Sequence, residues 1–216
     1  DESRNTDEST TTTVLRFPFP PFEQRIVSTD AVANAPNARN SSHGVFLQDE
    51  WTALDRLRVT AGLRWQEVST EATATPGWET EGLDFADDQL VGALTATWQI
   101  TDSLNALASY GTAFRAPNII ERLFNGVTPE GSGYQILNPD LVSETSDNFD
   151  VGFKYRRRDA FFELVGFRNE IEDGIVQYFL SDAEIAALPP EVRAEILASR
   201  ARFVVQQRNV ERLRYQ

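Results

Sequence analysis

The sequence predicts an all-β chain that forms a segment of an antiparallel transmembrane β-barrel with long extracellular loops, and three observations lead to this prediction. Apolar and polar residues alternate with period two along several stretches, as in strands with one apolar face. Short turns and long connections follow one another, which is typical of outer-membrane barrels. Charged residues lie on the polar faces in mid-strand, as a wet lumen requires, whereas large aromatics lie near strand ends on the apolar faces. They are the charged Arg58, Arg64, Asp150 and Lys154 and the aromatic Trp51, Trp65, Trp98, Tyr110 and Tyr155.

The composition argues against several other classes of protein. The chain has 216 residues and a formal net charge of −13, whereas nucleic-acid binding calls for a basic surface. It has no cysteine, so neither a disulfide framework nor a thiolate metal site is possible. The sequence contains no run of 18 apolar residues, so no transmembrane helix is predicted. The single histidine, His43, lies in a predicted polar loop and is expected to be solvated, because a metal site needs several ligands.

Residues 1–43 are predicted to form a polar, irregular loop region. Residues 1–13 are polar throughout, and Val14–Phe22 contains three prolines, which exclude a central strand. Ile26–Ser42 is rich in alanine, asparagine and serine and is predicted to be a long loop. The chain has no methionine and stops at Tyr215-Gln216 inside a predicted strand, so we expect an internal segment of a longer protein.

About seven strands are predicted in residues 44–216. The predicted strands are Val45–Trp51, Leu57–Gln66, Leu90–Ile100, Leu104–Gly111, Asn148–Tyr155, Ala160–Gln177 and a last one from Phe203. Three connections are short turns, at Thr52–Arg56, Thr101–Ser103 and Arg156–Asp159, and Val68–Asp88 is predicted to be a long acidic loop. Asp49 lies on the apolar face of the first strand, a position that suits a carboxylate only at the membrane interface. The turn Arg156-Arg157-Arg158 either faces lipid head groups or is simply exposed.

One long loop is predicted to contain a helical hairpin, within Ser181–Arg202. Ser181 and Glu184 have the spacing of a capping box, in which each side chain bonds to the other residue's backbone N–H. Pro189 and Pro190 break the segment, and Pro190 suits the first turn of a second helix.

The stretch between Tyr110 and Tyr155 carries the most distinctive motifs. A strand ends in Phe114-Arg115-Ala116-Pro117, because Pro117 cannot donate to a sheet ladder and disfavours helix at the residue before it. After a loop rich in glycine and proline, Asn138-Pro139-Asp140-Leu141 predicts a turn. Residues Asn148–Tyr155 then alternate strictly between polar or small and apolar residues, which predicts a strand.

These motifs, with Glu144-Thr145-Ser146 between the last two, resemble the sequence boxes of the TonB-dependent outer-membrane receptors. The similarity extends more weakly to Gly44–Trp51, Leu57–Trp65 and Phe167–Ile175, and residues 1–43 match nothing in the family. The resemblance implies location in the outer membrane of a Gram-negative bacterium, in contact with its lipid, as part of a 22-stranded barrel with a plugged lumen. It implies active import of a siderophore-iron complex, cobalamin or a carbohydrate, coupled to the TonB complex through a plug domain that this segment lacks.

The residues that match the family motifs are predicted to be structural or to line the lumen. Arg115 is expected to anchor the end of its strand, and Asn138, Asp140 and Glu144 to form turns or lumen polar groups. The full set is Phe114, Arg115, Ala116, Pro117, Asn138, Pro139, Asp140, Leu141, Glu144, Asn148 and Gly152. Haem-uptake receptors of the family carry a histidine between the two boxes, and residues 118–137 contain none. Haem ligation by this segment, a metal site and a cofactor are therefore not expected.

No motif predicts an enzyme, since the chain has no nucleophile elbow, zinc-protease, P-loop or dinucleotide-binding pattern. Three alternatives remain open at this point. A small closed barrel could act as an adhesin or passive pore, because eight strands can close. A barrel hydrolase would have to use His43. A soluble β-sandwich would fold without detergent.

Overall fold

A computed structural model describes residues 2–3, 8–9 and 32–215 of the chain. The strands are β1 (Glu2–Ser3), β2 (Glu8–Ser9), β3 (Val32–Ala33), β4 (Asn37–Leu54), β5 (Leu57–Thr73), β6 (Asp84–Gln99), β7 (Leu104–Arg115), β8 (Gly126–Val127), β9 (Gly133–Ile136), β10 (Glu144–Arg157), β11 (Ala160–Phe179) and β12 (Phe203–Tyr215). The helices are α1 (Ile119–Leu123), α2 (Asp182–Ala187) and α3 (Pro190–Ser199). None of these helices is long and apolar enough to cross a bilayer.

The long strands form one open sheet of ten strands in the order β1-β4-β5-β6-β7-β10-β11-β12-β9-β8. Every neighbouring pair of long strands is antiparallel, and β12 pairs with β9 in parallel. Strands β4 and β5, β6 and β7, and β10 and β11 are joined by short turns. The all-β antiparallel fold and the helical loop are therefore confirmed. The sandwich alternative is wrong, because these strands build a single sheet rather than two packed ones.

Several strands are longer than the sequence pattern predicts, mainly at the end opposite the short turns, although β4 and β10 also extend two or three residues into the predicted short turns. The prediction of an acidic loop over Val68–Asp88 is wrong, because β5 continues to Thr73 and β6 begins at Asp84. Glu71 and Asp84 lie opposite each other in this extended ladder. Strand β4 likewise begins at Asn37, so His43 lies in a strand opposite Glu67 and not in a loop. One face of these strand ends is polar and the other carries only scattered apolar residues such as Ala38, Ala72 and Phe85, so the ladder continues where the regular apolar alternation has stopped.

Other predicted boundaries also move. Strand β10 begins at Glu144 rather than at residue 148, and the stretch between Arg115 and Glu144 holds α1, β8 and β9 rather than an irregular loop. The loop predictions for residues 4–7 and 10–31, and the last strand residue Gln216, lie outside the described part of the chain.

One face of the sheet carries a continuous apolar band. The register aligns Val45, Trp65 and Leu90 across β4, β5 and β6, and Leu94, Tyr110 and Phe149 across β6, β7 and β10. The band runs from Leu57 to Trp65 on β5 and from Leu90 to Trp98 on β6, roughly 20–25 Å for strands tilted as in barrels. Its large side chains are exposed; they include Val45, Leu47, Leu63, Leu94, Val151, Phe153, Phe162 and Leu164. Such a band matches the hydrocarbon layer of an outer membrane.

Aromatic residues mark both edges of the apolar band. At the edge near the long loops, Trp65 Nε1 donates to Asp88 Oδ2 at 3.2 Å, and the Tyr110 hydroxyl donates to Asp147 Oδ1 at 2.5 Å. Each ring therefore keeps its body in the band and its polar atom directed toward water. Trp51, Trp98 and Tyr155 lie at the other edge, beside the short turns. Asp49 does not lie at an edge but opposite Ala61, in the middle of the band on strand β4.

Candidate functional site

The segment 116–143, called the strap here, covers part of the sheet's polar face at the long-loop end. It leaves β7 after Arg115 and begins with α1, whose buried Ile119 and Leu123 pack with Ala38 of β4. Asn118 caps this helix: its side chain accepts from Glu121 N at 2.9 Å, and Glu121 Oε2 accepts from Asn118 N at 2.9 Å. The strap then reaches β12 through β9 and returns to β10.

Arg115 joins the start of the strap to two further strands. Its Nη1 donates to both Glu121 oxygens, at 3.0 and 2.8 Å, and its Nε donates to Glu144 Oε2 at 2.5 Å. The other Glu144 oxygen accepts from Ile175 N at 2.6 Å. The hydrogen bond to Glu144 raises the pKa of Arg115. Burial acts to raise the pKa of Glu144, but the bonds from Arg115 and from Ile175 lower it on balance. The structure thus places Arg115 among carboxylates of its own chain.

A second ion pair, between Arg122 of the strap and Asp87 of β6, holds the strap to the polar face of the sheet. The sequence analysis did not predict this pair. Arg122 Nη2 lies 3.0 and 2.9 Å from the Asp87 oxygens, and it also donates to the Leu141 carbonyl at 3.0 Å. Ser143 Oγ donates to Asp87 Oδ1 at 2.9 Å. The side chains of Arg122 and Asp87 are only 5% and 15% exposed. The guanidinium also lies over the Phe85 ring, 4.4 Å from its centroid.

Hydrogen bonds attach the far end of the strap to β12. Asn138 Nδ2 donates to the Gln207 carbonyl at 2.8 Å, and Gln206 Nε2 donates to the Leu137 carbonyl at 3.0 Å. Asn209 accepts from Val142 N at 3.0 Å and donates to the Val142 carbonyl at 3.0 Å. These hydrogen bonds therefore hold the turn that begins at Asn138 against the polar stretch Gln206–Asn209 of β12.

The predicted motif residues fall into two groups. Phe114 and Arg115 pair with Thr145 and Glu144, so the ends of the two boxes meet at one point of the sheet. Ala116 and Pro117 lead into the strap, Pro139 and exposed Asp140 lie in its returning turn, and Leu141 is buried beside Arg122. Asn148 and Gly152 lie away from the strap, within β10. Asn148 accepts from Asn169 Nδ2, and a Cβ at Gly152 would lie 2.6 Å from the Leu164 carbonyl oxygen.

The strap and the helical loop of residues 180–202 share one hydrophobic core. Tyr134 and Ile136 of β9 are buried with Ile196 of α3 and Val204 of β12, and Ile185, Leu188 and Val192 pack against them. The Tyr134 hydroxyl donates to Glu195 Oε2 at 2.8 Å. Burial, followed by that bond, raises the pKa of Tyr134. The two long loops therefore form one folded unit.

The predicted capping box of the helical loop is present and gives it a pH dependence. Hydrogen bonds from the Ser181 backbone and side chain, and then from Arg208, lower the pKa of Glu184 to about 2. A lowered folded-state pKa stabilises the fold above the unfolded value near 4.3, and this stabilisation is lost as pH falls from there toward 2.

We expect the amides of α2 to exchange faster at pH 3 than at pH 6, after correction for intrinsic exchange rates. Hydrogen-exchange mass spectrometry of peptides covering residues 180–190 measures this. Glu184→Gln keeps a neutral capping partner, so its corrected exchange should not depend on pH. Equal corrected protection of the unsubstituted chain at both pH values would contradict the prediction.

Within the described residues, no group of three or more histidine, cysteine, aspartate or glutamate side chains is placed to hold a metal ion. His43 is exposed and paired across β4 and β5 with Glu67. The arrangement is therefore a sheet with an apolar band on one face and, on the other face, a polar wall capped at one end by the strap.

Comparison with known proteins gives one family and a consistent fold. The family described as TonB dependent receptor-like, beta-barrel matches residues 4–207. The expectation that residues 1–43 match nothing in the family is therefore wrong, because the match begins at residue 4. Hemoglobin-haptoglobin utilization protein B of Neisseria meningitidis serogroup C is 30% identical over 129 residues, which cover 56% of this chain and 16% of that protein. Heme/hemopexin utilization protein C of Haemophilus influenzae is 26% identical over 170 residues, 72% of this chain and 22% of that protein. Vitamin B12 transporter BtuB of Photobacterium profundum is 26% identical, over 63% of this chain and 25% of that protein.

Solved structures show the same fold. The Serratia marcescens hemophore receptor HasR, in complex with its hemophore HasA and heme, aligns with a TM-score of 0.62 at 18% identity, over 84% of this chain and 31% of that chain. The copper transporter OprC aligns with a TM-score of 0.59 at 22% identity, over 82% of this chain and 25% of that chain. The chain therefore spans between 16% and 25% of the curated relatives named above, and its open sheet is a segment of such a barrel.

Proposed function

Since this chain belongs to the TonB-dependent receptor family, as part of its outer-membrane β-barrel, we propose that it forms the wall and part of the outer cap of an active importer of a scarce, bulky nutrient. The apolar band is the lipid-facing side of this wall, and the opposite face lines the lumen. The TonB complex would supply the energy through a plug domain, as the family resemblance implies.

The observation that carries the proposal is the position of the strap relative to the band. The strap packs on the polar face through contacts with Asp87 and Phe85 of β6. These contacts lie beyond Trp65, which marks the edge of the apolar band near the long loops. A cargo entering along that face would meet the strap before the lumen. Below the strap the polar face carries ion pairs and hydrogen bonds, such as Arg58 with Glu50 at 3.3 Å and Ser109 with Asp150 at 3.0 Å. These polar groups provide a hydrated surface along which the cargo can pass, whereas lipid contacts the opposite face.

We propose a metal chelate of the haem, siderophore or cobalamin type as the cargo. The printed names of three relatives support this class, since they refer to utilization of hemoglobin-haptoglobin or of heme/hemopexin and to vitamin B12 transport. Carbohydrate, the third class implied by the sequence resemblance, has no counterpart among those three. If the cargo is haem, its iron ligand has to come from outside the strap: residues 118–137 hold no histidine, and Tyr134 is buried against Glu195.

Uptake by the natural polypeptide that carries these residues tests the proposal. The polypeptide would be expressed in a Gram-negative host without its own receptors for haem, ferric siderophores and cobalamin. We expect growth on at least one of these as the sole source of iron or cobalamin, and loss of that growth when the host tonB gene is deleted.

Two outcomes would contradict the proposed import function. One is outer-membrane insertion without growth on any of the three chelates. The other is uptake that persists without TonB, which would favour the passive-pore alternative. In the described sheet β4 and β12 are not neighbours, so no observation favours a small barrel closed by these strands alone.

A further inference from the structure

The turn between β10 and β11 places free positive charge directly beneath the apolar band. Tyr155 ends the band on β10, and Arg157, two residues further, lies on the same face by strand alternation. Arg158 and Asp159 form the turn, and Arg156 lies on the polar face with its guanidinium 5.5 Å from the Phe161 ring centroid. The turn therefore presents two arginines, Arg157 and Arg158, at the lipid-facing edge.

These two arginines differ from most of the arginines at the opposite end of the sheet. There, Arg115, Arg122, Arg168, Arg208, Arg212 and Arg214 each lie within 3.0 Å of a carboxylate oxygen. Arg157 and Arg158 are exposed and make no ion pair with any residue that the structure describes. Their charge is thus available to an external anion.

Their depth matches the phosphate layer of a bilayer. A strand rises about 3.4 Å per residue, so Arg157 lies roughly 7 Å beyond Tyr155 along the strand. The head-group region adds about 5–7 Å to each side of the hydrocarbon core. The guanidinium of Arg157 therefore reaches phosphate depth while exposed Phe153, Phe162 and Leu164 lie against the acyl chains.

We propose that the β10–β11 turn is a binding site for the head group of an anionic glycerophospholipid in the leaflet that faces the short turns. This rests on the membrane orientation used in the proposed function but not on any cargo. The site is continuous with the lipid-facing band, and the phosphate is complementary in charge to Arg157 and Arg158. The chain as a whole is acidic, with a net charge of −13, so the attraction is local to this turn.

Native mass spectrometry of the natural polypeptide carrying this chain tests the site. The protein would be extracted from vesicles of equal amounts of phosphatidylglycerol and phosphatidylcholine, and the retained lipids counted. We expect phosphatidylglycerol to be retained at least about fivefold over phosphatidylcholine, because each basic residue near a membrane surface supplies a factor of about five. Extraction at 1 M salt should remove the preference, because charges are then screened within about 3 Å.

The Arg157→Gln/Arg158→Gln variant should retain the two lipids equally. The matched control is Arg200→Gln/Arg202→Gln, which removes two exposed arginines at the opposite end of the sheet and should keep the preference. An unchanged preference in the first variant, an equal loss in the control, or a wild-type preference that 1 M salt does not reduce would each overturn the proposal. Import assays on the same variants separate this from the proposed function, since transport can fail while lipid binding remains.

Discussion

Replacing Asp87 with alanine is expected to destabilise the strap by about 3–5 kcal/mol, the usual cost of leaving one member of a buried ion pair without its partner. Arg122 would keep a guanidinium that is only 5% exposed, with no carboxylate in contact. Its Nε and Nη1 already have no hydrogen-bond partner among the described residues. Ser143 would also lose its acceptor. Hydrogen-exchange mass spectrometry of peptides from residues 116–143 measures the loss as faster exchange of the strap.

Two further variants make the Asp87 experiment decisive. Asp84→Ala removes an exposed carboxylate three residues away on β6 and should change strap protection by no more than about 0.5 kcal/mol. Asp87→Leu with Arg122→Met removes both charges and should cost less than Asp87→Ala alone, because no buried charge is left unpaired. Two results would show that this pair does not hold the strap. One is that Asp87→Ala leaves the hydrogen exchange of the strap unchanged, and the other is that the strap exchanges as fast in the double variant as in Asp87→Ala.

Arginine in the middle of the apolar band is expected to cost about 2–4 kcal/mol of folding free energy in a bilayer. Leu94 is suited to this test, because it lies midway between Leu90 and Trp98 on β6 and is exposed on the lipid-facing side. Leu94→Arg would place a charge in hydrocarbon, whereas water would solvate the same charge on the polar face. Urea titration of the natural polypeptide folded into phosphatidylcholine vesicles, followed by tryptophan fluorescence, measures the difference.

The neighbouring residue provides the matched control for Leu94→Arg. Thr95 pairs with Thr60 and Ser109 and points to the polar face, so Thr95→Arg should cost less by at least about 2 kcal/mol. A similar cost for the two substitutions would mean that the band does not face lipid. A larger cost for Thr95→Arg would mean that the assignment of the two faces is reversed.

The part of the fold that follows from the sequence is the part that lies in the membrane. Residues such as Leu63 and Trp65, or Phe149 and Val151, alternate because lipid contacts only one face, and that alternation is visible in the sequence. The helical loop is also predictable, since Ser181, Glu184 and Pro190 carry local capping and breaking signals. The outer ends of β5 and β6 are not predictable this way, because lipid contacts neither of their faces. Glu71 and Asp84 lie opposite each other on one face and the strap covers Phe85 on the other, which leaves no periodic pattern.

The candidate site was predictable only where a motif marks it. Arg115 and Glu144 belong to the family boxes, and strand pairing brings them together. Arg122 and Asp87 belong to no box, lie 35 residues apart and face each other only because α1 packs back on β6. Within the predicted acidic loop nothing in the sequence distinguished half-buried Asp87 from exposed Asp84. A tertiary contact of this kind leaves no local signal in one sequence.

The shared core of the two long loops constrains how receptors of this kind diversify. Tyr134 and Ile136 of the strap are covered by Ile196 of the helical loop, so a chimera that inherits one loop without the other would expose an apolar surface at the mouth. We therefore expect an exchange of loops between related receptors to keep this core only when residues 116–202 are transferred as one block, with the hairpin of β10 and β11 carried between the loops.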